Sequence, residues 1–168
     1  NYVAIEAATQ KDVMEKLDGG GNVFKILEAL LRLRQASCHS ALLGINSDAE
    51  SSKLNLLISK LKDASECGHK ALVFSQWTSM LDLMEPELVK AGVSFSRLDG
   101  ATRNRQDIVK NFQETDEASV LIMSLKAGGV GINLTAADQV YIMDPWWNPA
   151  AEDQAADRTH RIGQDKPV

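Results

Sequence analysis

Cysteine is scarce in this sequence, and long apolar runs are absent from it. The 168 residues include only two cysteines, Cys38 and Cys67, and no apolar stretch reaches the length that crosses a membrane. We therefore expect reduced thiols in an intracellular protein without a membrane partner. Zinc ligation by both cysteines with His39 and His69 is conceivable, but their spacing is not that of a zinc knuckle, so we predict no metal site.

Two glycine-rich nucleotide motifs are also missing. The sequence contains no Gly-Lys dipeptide, which excludes a P-loop, so the chain cannot by itself hold a triphosphate and its magnesium. Gly129 and Gly131 begin a possible dinucleotide fingerprint, but Leu134 stands where the third glycine is needed. No Ser/His/Asp or Cys/His arrangement stands out, and His160 lies between two arginines, which disfavours it as a catalytic base.

Positive charge is in deficit. The 18 lysines and arginines are outnumbered by 23 aspartates and glutamates, which gives a formal net charge of -5. The net charge therefore does not indicate a nucleic-acid partner, and nucleic-acid binding would require a local positive track. With 44% hydrophobic residues, the composition is that of one globular domain with an ordinary core.

Short apolar runs alternate with helical periodicity along most of the chain. Continuous apolar runs are typical of strands buried on both faces, and their alternation with helices predicts a parallel α/β sheet. The predicted strands are 71–75, 93–98, 119–124 and 139–143, and the predicted helices are 1–18, 23–36, 51–67, 78–91 and 103–114.

Individual residues refine these helices. A glycine triplet with Asn22 breaks the chain after the first helix, where we expect a linker, and a serine cap begins helix 51–67. Helix 78–91 should kink or restart at Pro86 and end at Gly92. Its inward residues are predicted to be Met80, Leu83, Met84 and Leu88.

Small polar residues and glycines follow the strands at 75–78, 99–102, 124–129 and 144–148. In an open parallel sheet, ligands gather beyond the carboxyl ends of the strands. Backbone N–H groups exposed by such residues bind phosphate oxygens without reading bases. Any one segment could simply make a tight strand-to-helix turn, but four on one rim favour a phosphate-binding surface.

One predicted helix near the C-terminus carries an amide and two guanidiniums on one face. Gln154, Arg158 and Arg161 are spaced i, i+4 and i+7, which brings their side chains together. Guanidinium groups bind oxyanions bidentately and remain charged at any working pH, so this face suits phosphate. The alternative is a solvated face in which Asp157 and Arg161 form an i, i+4 pair.

These motifs together resemble the second RecA-like lobe of SWI/SNF-type ATPases, within the superfamily 2 helicases. LVFSQW at 72–77 resembles motif IV, RLDGAT at 97–102 the following block, and SLKAGGVGINLTAAD at 124–138 motif V. DPWWNPAAEDQAADRTHRIGQ at 144–164 resembles motif VI and its lead-in, and LLRLRQASCH at 30–39 the segment between the lobes. The resemblance implies a RecA-like three-layer α/β sandwich with a mainly parallel sheet, preceded by linking helices. It divides the chain into linking helices at 1–69 and a C-terminally truncated lobe at 70–168.

The resemblance implies an ATP-driven translocase on double-stranded DNA. ATP would lie between this lobe and a first RecA-like lobe of the same protein, which would supply the P-loop and most of the magnesium site. Arg158 and Arg161 would act as arginine fingers, with Gln154 orienting the site, while Gly129, Gly131 and Asn133 would approach the nucleotide. The residues that would grip DNA phosphates are Ser75, Gln76, Trp77, Asp99, Gly100, Thr102, Ser124, Lys126, Gly128 and Trp146.

Two further expectations follow from this resemblance, and two alternatives to it remain. We expect the chain to be a fragment of a longer protein, inactive alone, which remodels DNA-bound proteins or takes part in repair or transcription. The absence of a RING-like cysteine cluster before motif IV favours a bacterial cytoplasmic or nucleoid protein over a nuclear one. The alternatives are a non-hydrolytic module that binds nucleic acid or protein, and the lobe of an RNA helicase.

Overall fold

A computed structural model describes residues 7, 11, 23–44, 51–117, 119–128, 132–144, 150, 157, 159 and 167–168. The chain divides into two compact units, Asn1–Asn55 and Leu56–Val168. Most of the predicted helix at 1–18 and the glycine break that follows it lie outside the described residues. The division predicted from the sequence, with the lobe beginning at residue 70, remains a prediction.

The first unit contains helix α1, Val23–Cys38, which confirms the helix predicted at 23–36. A one-turn 3-10 helix, Ser40–Leu43, follows it, and His39 caps this turn by accepting the Ala41 N–H at Nδ1 over 3.1 Å. Burial lowers the pKa of the His39 imidazole, which matches its use as a neutral acceptor. Three large apolar side chains of α1, Phe24, Leu27 and Leu31, are exposed, whereas Ala29 is buried.

Helix α2, Ser52–Glu66, begins in the first unit and ends in the second. The Ser51 hydroxyl accepts the Leu54 N–H over 3.3 Å, which confirms the predicted serine cap. Beyond the unit boundary, its buried positions are Leu57, Leu61 and Ala64.

The second unit is built on a parallel sheet. In its described part, the strands are β1, Ala71–Ser75, β2, Phe95–Leu98, β3, Val120–Ser124, and β4, Gln139–Ile142. Their order is β2-β3-β1-β4 and every pairing is parallel, as predicted from the alternation of strands and helices. Both central strands are buried along their whole length, which explains why their sequences are continuous apolar runs.

Helices cover both faces of this sheet. Leu72, Phe74, Leu121 and Met123 face one side, where they form a core with Phe112 of helix α4, Arg105–Glu114. Strand residues alternate between faces, so Val73 and Ile122 lie on the other side, which helix α3, Thr78–Ala91, covers. Helices, sheet and helices form the predicted three layers.

The details of α3 differ from the prediction in two respects. The helix continues through Pro86 and does not restart there, while a kink at Pro86, the other predicted alternative, stays a prediction. Leu81 is fully buried, although it was not among the predicted inward residues. Leu83, which was predicted to face inward, is only partly buried. Gly92 ends the helix as predicted, with φ of 70° in the left-handed region.

Several elements are slightly shorter than their sequence patterns, and two of them begin two residues late. Strand β2 begins at Phe95, two residues later than predicted, and α4 begins at Arg105 where residue 103 was expected. A one-turn helix, α5, spans Leu125–Gly128 directly after β3. In the described part of the chain, no helix has the length and apolar character required to cross a bilayer.

Candidate functional site

The parallel register brings the predicted strand ends to one rim of the sheet. Leu98, Met123, Phe74 and Ile142 are paired side by side across the four strands. The residues that follow them therefore lie at the same level, with neighbouring strands roughly 4.8 Å apart. In sheet order these residues are Asp99, Ser124, Ser75 and Met143. The structure thus brings together the described segments that were singled out from the sequence.

The end of β1 is held by a side chain of its own turn and by one from the segment that follows β4. The Trp77 N–H donates to the Ser75 hydroxyl over 3.1 Å, and the Gln76 N–H donates to Asp144 Oδ2 over 2.8 Å. Asp144 is only 1% exposed, and Met143 donates its N–H to the Phe74 carbonyl over 3.0 Å. Sequence analysis placed Asp144 in a strand-end segment but did not identify it as the residue that orders this turn.

Two nitrogen donors of this turn are buried without a hydrogen bond. Gln76 Nε2 and Trp77 Nε1 have no acceptor in the described part of the structure. Buried polar atoms in native proteins are nearly always paired, so these two donors mark a place where an acceptor fits.

The loop at 99–102 is organised around the Asp99 carboxylate. Its Oδ1 accepts the Ala101 N–H over 2.8 Å and the Thr102 hydroxyl over 3.2 Å, while Oδ2 accepts Arg97 Nε over 2.8 Å. Arg105 closes the loop from the helix side, because its guanidinium donates to the carbonyls of Asp99, at 2.9 Å, and Thr102, at 3.3 Å. Asp99 therefore shapes the loop, and Gly100 lies exposed at its tip.

Arg97 carries the loop's link to α3. Its Nη1 donates to Asp82 over 2.6 Å and to Glu85 over 2.9 Å, in addition to its bond with Asp99. Burial alone would lower the pKa of the guanidinium, but these carboxylates raise it above its ordinary value. The arginine is therefore a fixed positive charge beneath the rim.

Neutralising Asp99 should destabilise the domain in a pH-dependent way. Burial alone would raise the pKa of this carboxyl, but the Ala101 N–H, the Arg97 guanidinium and the Thr102 hydroxyl together lower it below 3.8. The carboxylate therefore stabilises the fold fully above about pH 4, and this contribution is lost as the pH falls through its folded pKa. We expect Asp99→Asn to lower the free energy of unfolding at pH 7 by about 1–3 kcal/mol.

Urea denaturation at pH 7 and at pH 3 would measure both effects. The difference between wild type and Asp99→Asn should narrow at the lower pH, whereas an exposed control, Asp116→Asn, should change stability little at either. Equal stability of wild type and Asp99→Asn at pH 7 would contradict the organising role of the carboxylate.

The end of β3 turns into α5 at Ser124. The Ser124 hydroxyl accepts the Ala127 N–H over 3.2 Å, and Lys126 is exposed on this single turn. Gly128 is the last residue of α5. Lys126 is therefore the one cation among the described residues that were predicted to contact phosphate.

The side chain of Gln113, on α4, forms two hydrogen bonds with the segment after the glycine turn. Gln113 Oε1 accepts the Ala136 N–H over 2.8 Å, and its Nε2 donates to the Thr135 hydroxyl over 3.2 Å. Leu134 is fully buried, whereas the neighbouring Asn133 is exposed. Gln113 thus positions the segment that carries Asn133, and sequence analysis had attributed no role to it.

Several predicted site residues fall outside the described part of the chain. They are Gly129, Gly131, Trp146, Gln154, Arg158 and Arg161. Among the described residues, no group of three or more histidine, cysteine, aspartate or glutamate side chains is placed to hold a metal ion. Cys38 and Cys67 are free thiols.

Comparison with known proteins identifies the family. Residues 52–163 match the helicase conserved C-terminal domain. DNA repair protein RAD5B of Arabidopsis thaliana is 54% identical over 123 residues, covering 71% of this chain and 10% of that protein. The human helicase-like transcription factor is 48% identical over 124 residues, covering 70% of this chain and 12% of that protein. The chain thus spans about a tenth of the length of these curated relatives.

Solved structures agree with this assignment. The Sulfolobus solfataricus SWI2/SNF2 ATPase C-terminal domain superposes with a TM-score of 0.77 at 30% identity, covering 89% of this chain and 69% of that one. The core domain of the same ATPase gives a TM-score of 0.82 at 30% identity, covering 99% of this chain and 35% of that one. The RecA-like fold expected from the sequence is thereby confirmed. The chain belongs to the helicase conserved C-terminal domain family, and within it to the C-terminal lobes of the SWI/SNF ATPases.

Proposed function

We propose that this chain is the second motor lobe of an ATP-driven translocase on double-stranded DNA. The observation that carries the proposal is the single rim formed by the strand ends, because it collects backbone and side-chain donors where a parallel sheet binds ligands. Residues 70–168 would form the lobe and residues 1–69 the helices that link it to a first RecA-like lobe of the same protein. The lobe alone would not hydrolyse ATP, because it lacks a P-loop.

The nucleotide side of the proposal concerns residues from both lobes. ATP would lie between the lobes, with the P-loop and the magnesium-binding acids supplied by the first. Arg158 and Arg161 would stabilise the charge that develops on the transferring phosphate, and Gln154 would orient the site. Gly129, Gly131 and Asn133 would approach the nucleotide, and the bonds from Gln113 to residues 135 and 136 support the position of Asn133.

The DNA side uses the rim. Gln76 and Trp77 offer two buried donors that a phosphate oxygen would satisfy. Gly100 is exposed at the tip of its loop, and Thr102 beside it is partly exposed. Ser124, Lys126 and Gly128 continue the surface, with Ser75 ordering the β1 turn, and Trp146 would complete it. Asp99 would contribute through the shape of its loop, because its carboxylate is already bonded within it. Closing and opening of the lobes during each ATP cycle would then move this grip along the DNA.

Substitutions at Gly100 test whether DNA phosphates come close to this loop, and they should leave the fold intact. A Cβ atom at this position would meet nothing within 4 Å, so side chains are accommodated. We expect Gly100→Glu to weaken duplex-DNA binding by the full-length protein roughly tenfold at low salt, because a carboxylate would face phosphate. The matched control, Gly100→Gln, has the same shape without the charge and should bind DNA much more tightly than Gly100→Glu.

Fluorescence anisotropy with labelled duplex DNA at two salt concentrations would measure both variants. The difference between them should shrink at high salt because salt screens exposed charges. Equal affinities of the two variants at low salt would remove Gly100 from the phosphate-contacting surface.

The relatives bear on biological role and location. The expectation of a bacterial protein finds no support, because the similar curated proteins come from plants, fungi and human. These relatives are named DNA repair protein and helicase-like transcription factor. We therefore propose a nuclear role in repair or transcription, in which DNA-bound proteins are remodelled. Comparing the stimulation of ATP turnover by duplex DNA and by structured RNA tests the substrate, and stimulation by RNA alone would favour an RNA helicase.

A further inference from the structure

A groove outside the strand-end rim runs along helix α4. It has a volume of about 820 Å³, and it lies between α4 with the residues just before it and the segment that contains Asn133. The polar side chains along its α4 side include Arg103, Arg105, Gln106, Lys110 and Gln113.

Positive charge dominates this groove. Its described lining includes three cations, Arg103, Arg105 and Lys110, and one carboxylate, Asp107. Arg103 and Lys110 are exposed, and neither forms an ion pair within the described part of the structure. In a chain of net charge -5, this is the kind of local positive track that binding to a polyanion requires.

The groove is built in advance of binding. Gln106, Lys110 and Gln113 are spaced i, i+4 and i+7, so they lie on one face of α4. The amide of Gln113 is hydrogen-bonded to Thr135 over 3.2 Å and to Ala136 over 2.8 Å, which fixes the opposite wall. A ligand that enters therefore meets cations and amides that are already in place.

The groove is continuous with the loop of the proposed DNA surface. Arg103 directly follows Thr102, and Arg105 holds this loop by its bonds to the carbonyls of Asp99 and Thr102. Among the described residues that line the groove none is aromatic, so these residues do not provide base stacking. Cations and amides without aromatic residues suit the sugar-phosphate backbone, which carries no sequence information.

We infer that this groove is a second phosphate-contacting surface, in which Arg103 and Lys110 bind the sugar-phosphate backbone of DNA beyond the segment held at the rim. The inference rests on the proposed function and extends its DNA-binding surface by two cations. Lys126 is the one cation among the described rim residues. The groove would supply the further positive charge with which the lobe binds DNA.

The test is the salt dependence of duplex-DNA binding by the full-length protein. Each lost phosphate contact reduces the slope of log affinity against log salt by about 1, so Arg103→Ala/Lys110→Ala should reduce it by about 2. Affinity at low salt should fall roughly tenfold or more. The control, Lys60→Ala/Lys90→Ala, removes the same charge from exposed positions on α2 and α3, which do not line the groove, and should keep the wild-type slope.

The outcomes separate the groove from the motor itself. A reduced slope in the groove variant alone supports the inference. An unchanged slope, with ATP turnover still stimulated by DNA, overturns the inference that the groove binds DNA and leaves the proposed function standing. The groove would then suit an acidic protein segment instead. Equal reductions of the slope in both double variants would show that the effect comes from net charge, and they would also overturn the inference. Wild-type protein whose turnover ignores DNA would count against the proposed function, whatever the slopes show.

Discussion

Replacing Arg161 with alanine in the full-length protein is expected to lower DNA-stimulated ATP turnover by roughly 10³–10⁵-fold, the range typical of arginine fingers. A guanidinium at this position would stabilise the negative charge that develops on the transferring phosphate. Alanine removes this interaction from the transition state, and the DNA surface of the lobe is untouched. Affinity for duplex DNA should therefore remain close to that of wild type, which separates a catalytic defect from a folding defect.

Two further variants sharpen this experiment. Arg161→Lys retains the positive charge but loses the planar two-donor geometry, so it should recover only a small part of the turnover. Arg32→Ala removes an exposed arginine from α1 and should leave turnover unchanged. Normal turnover by Arg161→Ala would mean that the arginine face is a solvated surface with a structural role.

Replacing Leu121 with alanine should destabilise the lobe by about 2–5 kcal/mol. Leu121 is fully buried in β3, between β1 and β2, and belongs to the core that contains Phe74 and Phe112. The substitution removes apolar contacts and leaves a cavity that a close-packed sheet can fill only partly. Total stabilities are about 5–15 kcal/mol, so the loss is a large fraction of the whole.

Urea denaturation followed by circular dichroism would measure this loss. The matched control is Leu56→Ala, which removes the same side chain from a position that is 62% exposed and should change stability by less than about 0.5 kcal/mol. Similar losses for the two variants would show that β3 is not the centre of the core.

Much of the fold follows from local patterns in the sequence. Runs such as 71–75 and 119–124 are apolar without alternation because strands β1 and β3 are covered on both faces, and the glycine after α3 marks its end. Pro86 was harder to interpret, because whether a helix restarts at a proline depends on packing around it. The burial of Leu81, where Leu83 was predicted, has the same origin. Which of these two leucines is buried depends on the elements that pack against each side of the helix.

The site could be located from the sequence more easily than it could be explained. Parallel strands bring their carboxyl ends together whatever their order, so the rim was predictable from element types alone. The side chains that hold it were not: Asp144 reaches Gln76 across 68 positions, and Gln113 reaches Ala136 across 23. Such contacts depend on the strand order β2-β3-β1-β4, which sequence periodicity does not encode.

The measurement that tests the central claim most directly is steady-state ATP turnover by the full-length protein with and without duplex DNA. A motor lobe whose rim holds DNA phosphates predicts that duplex DNA raises the rate. Turnover that is absent, or that is the same with and without DNA, would contradict the motor function and leave a binding module with the fold of a motor lobe.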